Sequence, residues 1–205
     1  MNELLKMTAH QVKEGKFDKV ILAIGSCEAH GQHLAEGCDT IVSYELSKQV
    51  ADRVPGMLVL PPITVGYSGH YDTFPFTLTF DYETMIHVIY DIVESVLRNG
   101  INKIFLMNGH DGNIAPIEIA ARKIKEKYPD ARIASLPEWW VIAGKLVPEG
   151  TFAVWNGLGH AGEGETSIAY HLFPQWCEPD QATCVVPDHL PEHVDIKWDF
   201  AEITD

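Results

Sequence analysis

The sequence predicts an α/β fold in a single domain covering residues 1–205. Three observations carry that expectation. Short apolar runs, KVILAI at 19–24, MLVL at 57–60 and KIFLMN at 103–108, read as buried strands, and 131–136 reads as a fourth strand. Longer stretches with apolar residues at helical spacing separate them. Polar, glycine-rich clusters then follow two of the runs, GSCEAHGQHLAEGCD at 25–39 and NGHDGN at 108–113. The C-terminal end of a buried strand is where open α/β sheets place their sites.

Composition narrows the function classes. A chain of 205 residues with 46% hydrophobic and 21% charged residues has an ordinary globular balance and enough length for a real core. A net charge of −14 argues against nucleic acid or an anionic membrane as partner. No apolar run approaches the roughly 20 residues of a membrane span. The N-terminal stretch lacks the apolar centre of a signal peptide, so a cytoplasmic location is expected. The four cysteines, Cys27, Cys38, Cys177 and Cys184, form no C-x-x-C pair and fit a reduced chain. Cys27 and Cys38 are small buried packers or weak alternative metal donors.

Taken in order, residues 1–16 form a short helix with Leu4, Leu5, Met7 and Val12 on one side, covering a sheet edge. After the first strand and its loop, Thr40 caps a helix with Ile41, Leu46 and Val50 in register, which Pro55-Gly56 ends. The second strand closes at Pro61-Pro62. A glycine- and aromatic-rich loop follows, with Thr77–Phe80 as a short edge strand. Within it His70 is either a hydrogen-bonded loop residue or a wall of the substrate mouth. Asp81 opens a strongly amphipathic helix that ends at Gly100. The third strand runs into NGHDGN and a further helix, where Asp111 serves as the N-terminal carboxylate or as an orienting acid. Beyond the fourth strand, one of the adjacent Trp139 and Trp140 packs in the core and the other can wall a pocket. A last helix follows the glycine loop that carries His160, Glu163 and Glu165. From Cys177 onward the chain is Pro-rich and acidic, with His189 and His193 assigned no chemistry.

The chemistry is concentrated in the first cluster. Glu28 and His30 are two residues apart and point to one side of an extended segment. With Asp39 they form an oxygen–nitrogen ligand set suited to zinc, manganese or ferrous iron. His110 ends the third strand on the same sheet edge and can join them. His160, with a glycine before it and another two residues on, is a residue presented by closely approaching backbone.

Three motifs in order, GSCEAHGQHLAEGCDT, NGHDGN and GHAGEGETS, resemble the creatininase (creatinine amidohydrolase) family over roughly residues 19–173. The resemblance implies a three-layer α/β sandwich with a mostly parallel central sheet, a divalent-metal site with two ions per chain, and a homo-oligomer, often hexameric. It assigns Glu28, His30, Asp39 and His110 as metal ligands, with Asp39 bridging. Two departures stand out. Creatininase has a ligand glutamate where this chain has Gly112, which makes Glu165 the replacement ligand. It also has a glutamate where this chain has Gly159. His160 matches the family's catalytic histidine, and Trp155 matches a substrate-covering tryptophan. The implied reaction is attack of metal-activated water on a carbonyl of a small molecule, cleaving an amide or cyclic amide C–N bond, with His160 passing the proton to the leaving nitrogen. With a single metal, Glu163 or Glu165 becomes the general base. Alternatives are C–C ring opening of a cyclic keto-polyol and a non-catalytic metal-binding relative. Substrate choice is expected in the less motif-like stretches, which hold Tyr67, His70, Trp140 and Trp155.

Overall fold

The structure is a computed structural model that describes residues 2–154 and 157–185. Four strands, β1 (Lys19–Ile24), β2 (Met57–Val59), β3 (Lys103–Asn108) and β4 (Arg132–Leu136), form one sheet in the order β2-β1-β3-β4. Every pairing is parallel. Parallel neighbours require crossovers, and helices supply them: α2 (Cys38–Arg53), α3 (Tyr82–Arg98) and α4 (Ile114–Lys127) link successive strands. The short α1 (Ala9–Glu14) precedes the sheet, while α5 (Trp139–Leu146) and α6 (Glu163–Leu172) follow it.

Side chains alternate across β1 and so divide the core in two. Val20, Leu22 and Ile24 pack with α3 and α4 on one face. Ile21 turns to the opposite face, among Ala51 of α2, Val59 and Met107. A third cluster joins Val42 of α2 to Trp139 of α5 and to Ala169 and Phe173 at the end of α6. The result is the expected three layers, with both faces of the central strands buried.

Topology positions the site. The chain leaves β1 through α2 toward β2 and leaves β3 through α4 toward β4, in opposite directions along the sheet. The crevice between the C-terminal ends of β1 and β3 is the topological switch point, where open α/β sheets bind their ligands.

Three local expectations change. Residues 1–16 do not form one helix: a 3₁₀ turn at Leu4–Lys6 precedes α1, because the Thr8 hydroxyl and the Gln11 side chain form a capping box that starts a new helix at Ala9. The sheet edge is covered instead by extended backbone, with the Val59 N–H donating to the Asn2 carbonyl at 2.7 Å. Leu5 is exposed. Thr40 is not a cap; the N-cap of α2 is Gly37, and the Thr40 hydroxyl donates to the Ser26 carbonyl at 2.9 Å. Thr77–Phe80 makes isolated bridges, Cys27 to Leu78 and Gly66 to Thr79, rather than a strand. The fourth strand forms as expected; β4 is a largely exposed edge, with Ile133 and Leu136 only partly buried. Asp81 caps α3 as expected, its carboxylate accepting the Thr84 N–H. Among the described residues no helix is long and apolar enough to cross a membrane.

Candidate metal centre

Residues 25–39 leave β1 and fold back so that Asp39 falls in the first turn of α2. That early helix start, two residues before Thr40, is what brings Asp39 over Glu28 and His30. All three are buried, as is His110 at the end of β3. Asp39 sits between two imidazoles: Oδ1 lies 2.9 Å from His30 Nε2, and Oδ2 lies 3.1 Å from His110 Nδ1. His110 Nδ1 is also 3.1 Å from Glu28 Oε1. The Ser26 hydroxyl donates to Asp39 Oδ2 at 2.8 Å and fixes the carboxylate plane.

Backbone carbonyls set the orientation of both rings. His30 Nδ1–H donates to the Glu28 carbonyl at 3.1 Å, and His110 Nε2–H donates to the Tyr67 carbonyl at 2.7 Å. Each ring therefore turns its other nitrogen toward the carboxylates. A nitrogen lone pair facing a carboxylate oxygen at about 3 Å is repulsive unless a cation stands between them, whether a proton or a metal ion. Steering a histidine through its far nitrogen is the usual support of a metal ligand. Glu28 adds a second sign, since neither of its oxygens has a hydrogen-bond donor among the described residues. Removing a carboxylate from water without compensation costs several kcal/mol. The donor set fits divalent metal: Glu28, Asp39 and His110 offer ligand atoms within 4.8 Å of one another. His30 and Asp39 offer the beginning of a second position.

The electrostatics agree. Burial pushes the His30 imidazole down, but the Asp39 carboxylate beside it outweighs burial and carries the ring up to about 10. His110 goes well above its ordinary value in the same way, burial being overcome by the Asp39 and Glu28 carboxylates beside it. The site thus holds positive charge tightly, and a divalent ion would replace those protons. Burial, with Asp39 next to it, pushes the Cys38 thiol well above its usual range, and His30, Cys38 and Asp39 offer ligand atoms within 4.8 Å of one another.

The third motif closes the crevice. His160 Nε2–H donates to the Ala29 carbonyl at 2.5 Å. Its ring lies 4.3 Å from that of His30 and 4.3 Å from that of Tyr71. His160 Nδ1, which carries no proton in this tautomer, is 4.0 Å from Glu28 Oε1. Burial and the neighbouring His30 hold His160 down to about 3, so the imidazole is neutral. Burial raises Glu165 to about 7, and its Oε2 accepts the Ala161 N–H at 2.7 Å.

The two glycine departures have structural causes. A Cβ on Gly112 would lie 2.1 Å from the Tyr67 carbonyl oxygen, the same oxygen that orients His110. A glutamate there cannot coexist with this placement of Tyr67. Gly159 has φ 121°, a conformation open to glycine and strained for other residues.

The remaining candidates separate. Glu165, His70 and Trp140 line a cavity of about 550 Å³ over the cluster. Glu163 is exposed and accepts the Val154 N–H at 2.8 Å, away from the cluster. The Tyr67 ring stacks on Tyr82 at 3.7 Å and does not line the cavity; its contribution is the carbonyl. Trp155 lies outside the described residues. Three positioning residues went unassigned. Tyr71 is buried against His160, and only its place in the aromatic loop signalled it. Asn113 donates to the Gly25 carbonyl and accepts the Tyr67 N–H, tying the β1 end to the aromatic loop. His33, buried, bonds Thr166 at 2.9 Å; the Thr166 hydroxyl donates to the Ala161 carbonyl, so His33 Nε2 is the donor.

A carboxylate bridging two carbonyl-steered imidazoles at the switch point of a parallel sheet places the chain among metal-dependent α/β hydrolases. It belongs to the creatininase family, whose model, described as creatinine amidohydrolase, matches residues 5–205. A creatinine amidohydrolase of Pseudomonas putida is 31% identical over 187 residues, covering 84% of this chain and 69% of the relative. A mycofactocin precursor peptide peptidase of Mycobacterium ulcerans is 27% identical, covering 85% of this chain and 66% of its own length. Among solved structures, a manganese creatininase superimposes with TM-score 0.78 at 28% identity, over 98% of this chain and 84% of its own. A mutant creatininase of Zn-Zn type gives 0.77 at 28% identity, with the same coverage of each chain.

Proposed function

We propose that the protein hydrolyses an amide or cyclic amide C–N bond of a small molecule at a centre of two divalent ions per chain. The observation that carries this reading is the orientation of His30 and His110, each tied by one nitrogen to a backbone carbonyl and facing Asp39 with the other. Glu28, Asp39 and His110 would hold one ion; His30, Asp39 and Glu165 would hold the second, with Asp39 shared. When bound, such ions polarise a carbonyl and lower the pKa of water toward neutrality.

The side chains do the rest. The Asp39 carboxylate, fixed by Ser26, keeps the two positions in register. Neutral His160, anchored through Nε2 to the Ala29 carbonyl, presents Nδ1 as the site that takes a proton from the attacking water and gives it to the leaving nitrogen. Tyr71 stacked on His160 holds the ring at that angle and keeps water from its far face. The name of the Pseudomonas putida relative and the zinc and manganese creatininase structures support amide hydrolysis with either metal.

Elemental analysis of the purified protein tests the reading, paired with hydrolysis of cyclic amides such as creatinine and hydantoin. Close to two zinc, manganese or iron ions per chain, with activity lost on chelation and regained on reloading, is the expected result. No bound metal after reconstitution overturns it.

A further inference from the structure

The cavity over the metal centre has two chemically different ends. Its floor is the polar cluster of Asp39, His110, His160 and Glu165. Its far wall is apolar, built by Trp140, Ala143 and Val147 of the α5 segment together with Phe152, Leu158 and Ile168. Trp139 and Trp140 meet edge to face at 5.9 Å, which locks the aromatic part of that wall. At about 550 Å³ the space falls in the range of pockets that enclose drug-sized ligands, well beyond the needs of a compact five-membered ring. Among the described lining residues the acids are Asp39, Asp111 and Glu165, the imidazoles are His70, His110, His160 and His171, and there is no lysine or arginine. Asp39 and Glu165 belong to the metal centre, and Asp111 adds negative charge at the mouth.

We infer that the apolar wall is a substrate subsite for an uncharged aromatic or branched aliphatic group carried by the scissile amide, and that it rejects carboxylate-bearing groups of the same shape. This rests on the amide-hydrolase reading for its reaction, but the subsite has its own physical basis. An apolar group buried against Trp140 and Phe152 gains roughly 25 cal/mol per Å² removed from water. A carboxylate in the same place loses its hydration and meets no lysine or arginine among the described lining residues.

The test uses the metal-loaded protein and three matched substrates: hydantoin, 5-benzylhydantoin and 5-(4-carboxybenzyl)hydantoin. The expected kcat/KM for the benzyl compound exceeds that of each of the others by tenfold or more. Trp140→Ala brings the benzyl-to-unsubstituted ratio to within threefold. Equal values for hydantoin and the benzyl compound, or no penalty for the carboxylate, overturn the inference. A second arm needs no turnover: calorimetric binding of benzyl alcohol to the same protein and to Val147→Lys. Benzyl alcohol is expected to bind the unaltered chain and to lose tenfold or more in affinity in Val147→Lys. No binding to the unaltered chain, or equal affinity in the variant, also overturns it. If none of the hydantoins is hydrolysed, the amide-hydrolase reading fails, and the binding arm alone decides the subsite.

Discussion

The crevice has two walls built on different terms. The wall formed by the ends of β1 and β3 is part of the core: Glu28, His30, Asp39 and His110 are all buried, and Ser26, the Glu28 carbonyl and the Tyr67 carbonyl fix the Asp39 carboxylate and the two rings. The opposite wall, from α5 through the glycine loop into α6, is looser. Ile142 and Leu146 of α5 are exposed, and Ala161 holds a positive φ of 50°. His160 reaches the first wall through its bond to the Ala29 carbonyl, and His33 ties in the loop behind it. The difference teaches where change is permitted. Rearranging the buried wall strands charge in the core, which costs several kcal/mol per ion. Rearranging the other wall alters apolar surface and proton handling, and so tunes substrate and rate.

Substitutions at four positions sharpen or break this contrast. The largest effect belongs to Asp39→Ala, which removes the carboxylate common to both proposed metal positions. Bound metal is expected to fall below one ion per chain, with turnover down on the order of 10⁴-fold; normal metal content would sink the bridging assignment. Next, His160→Ala keeps its metal complement and loses about 10²- to 10⁴-fold in kcat. A loss of metal in that variant would mean that the two walls are not separable. His33→Ala is expected to cost roughly 10-fold in kcat, the lower end for a supporting residue, with metal content unchanged. His33→Gln, which restores an N–H donor toward Thr166, should recover most of it, and failure to do so would assign His33 to packing alone. Gly112→Glu is the smallest in turnover and chiefly a stability effect. The clash with the Tyr67 carbonyl should lower stability by about 1–3 kcal/mol, read from the denaturant midpoint, without adding bound metal. A third ion or a stabilised protein would show that the aromatic loop yields readily.

Much of the architecture was legible because its physics is local. A run such as KVILAI has no other use in a chain of this size than a strand buried on both faces, and it forms β1 at the expected residues. The Asp81 cap and the apolar stripe of Met85, Ile89, Val93 and Val96 likewise specify α3 in isolation. Short-range capping chemistry was misjudged in two places, where Gln11 completes a box with Thr8 and where backbone rather than Thr40 starts α2.

Sequence by itself determined the layered parallel fold and brought Glu28, His30, Asp39 and His110 to one sheet edge, with His160 added by the family resemblance. Apolar periodicity forces the strands and helices, and strand ends on one sheet edge must share a crevice. Tertiary structure alone decided how those groups face one another. It set Asp39 between the two imidazoles, gave the Tyr67 carbonyl the place a side chain on residue 112 would need, and turned Glu163 outward. Those outcomes depend on contacts between residues tens of positions apart, where a shift of one ångström changes a ligand into a bystander. No pattern along the chain encodes such a distance.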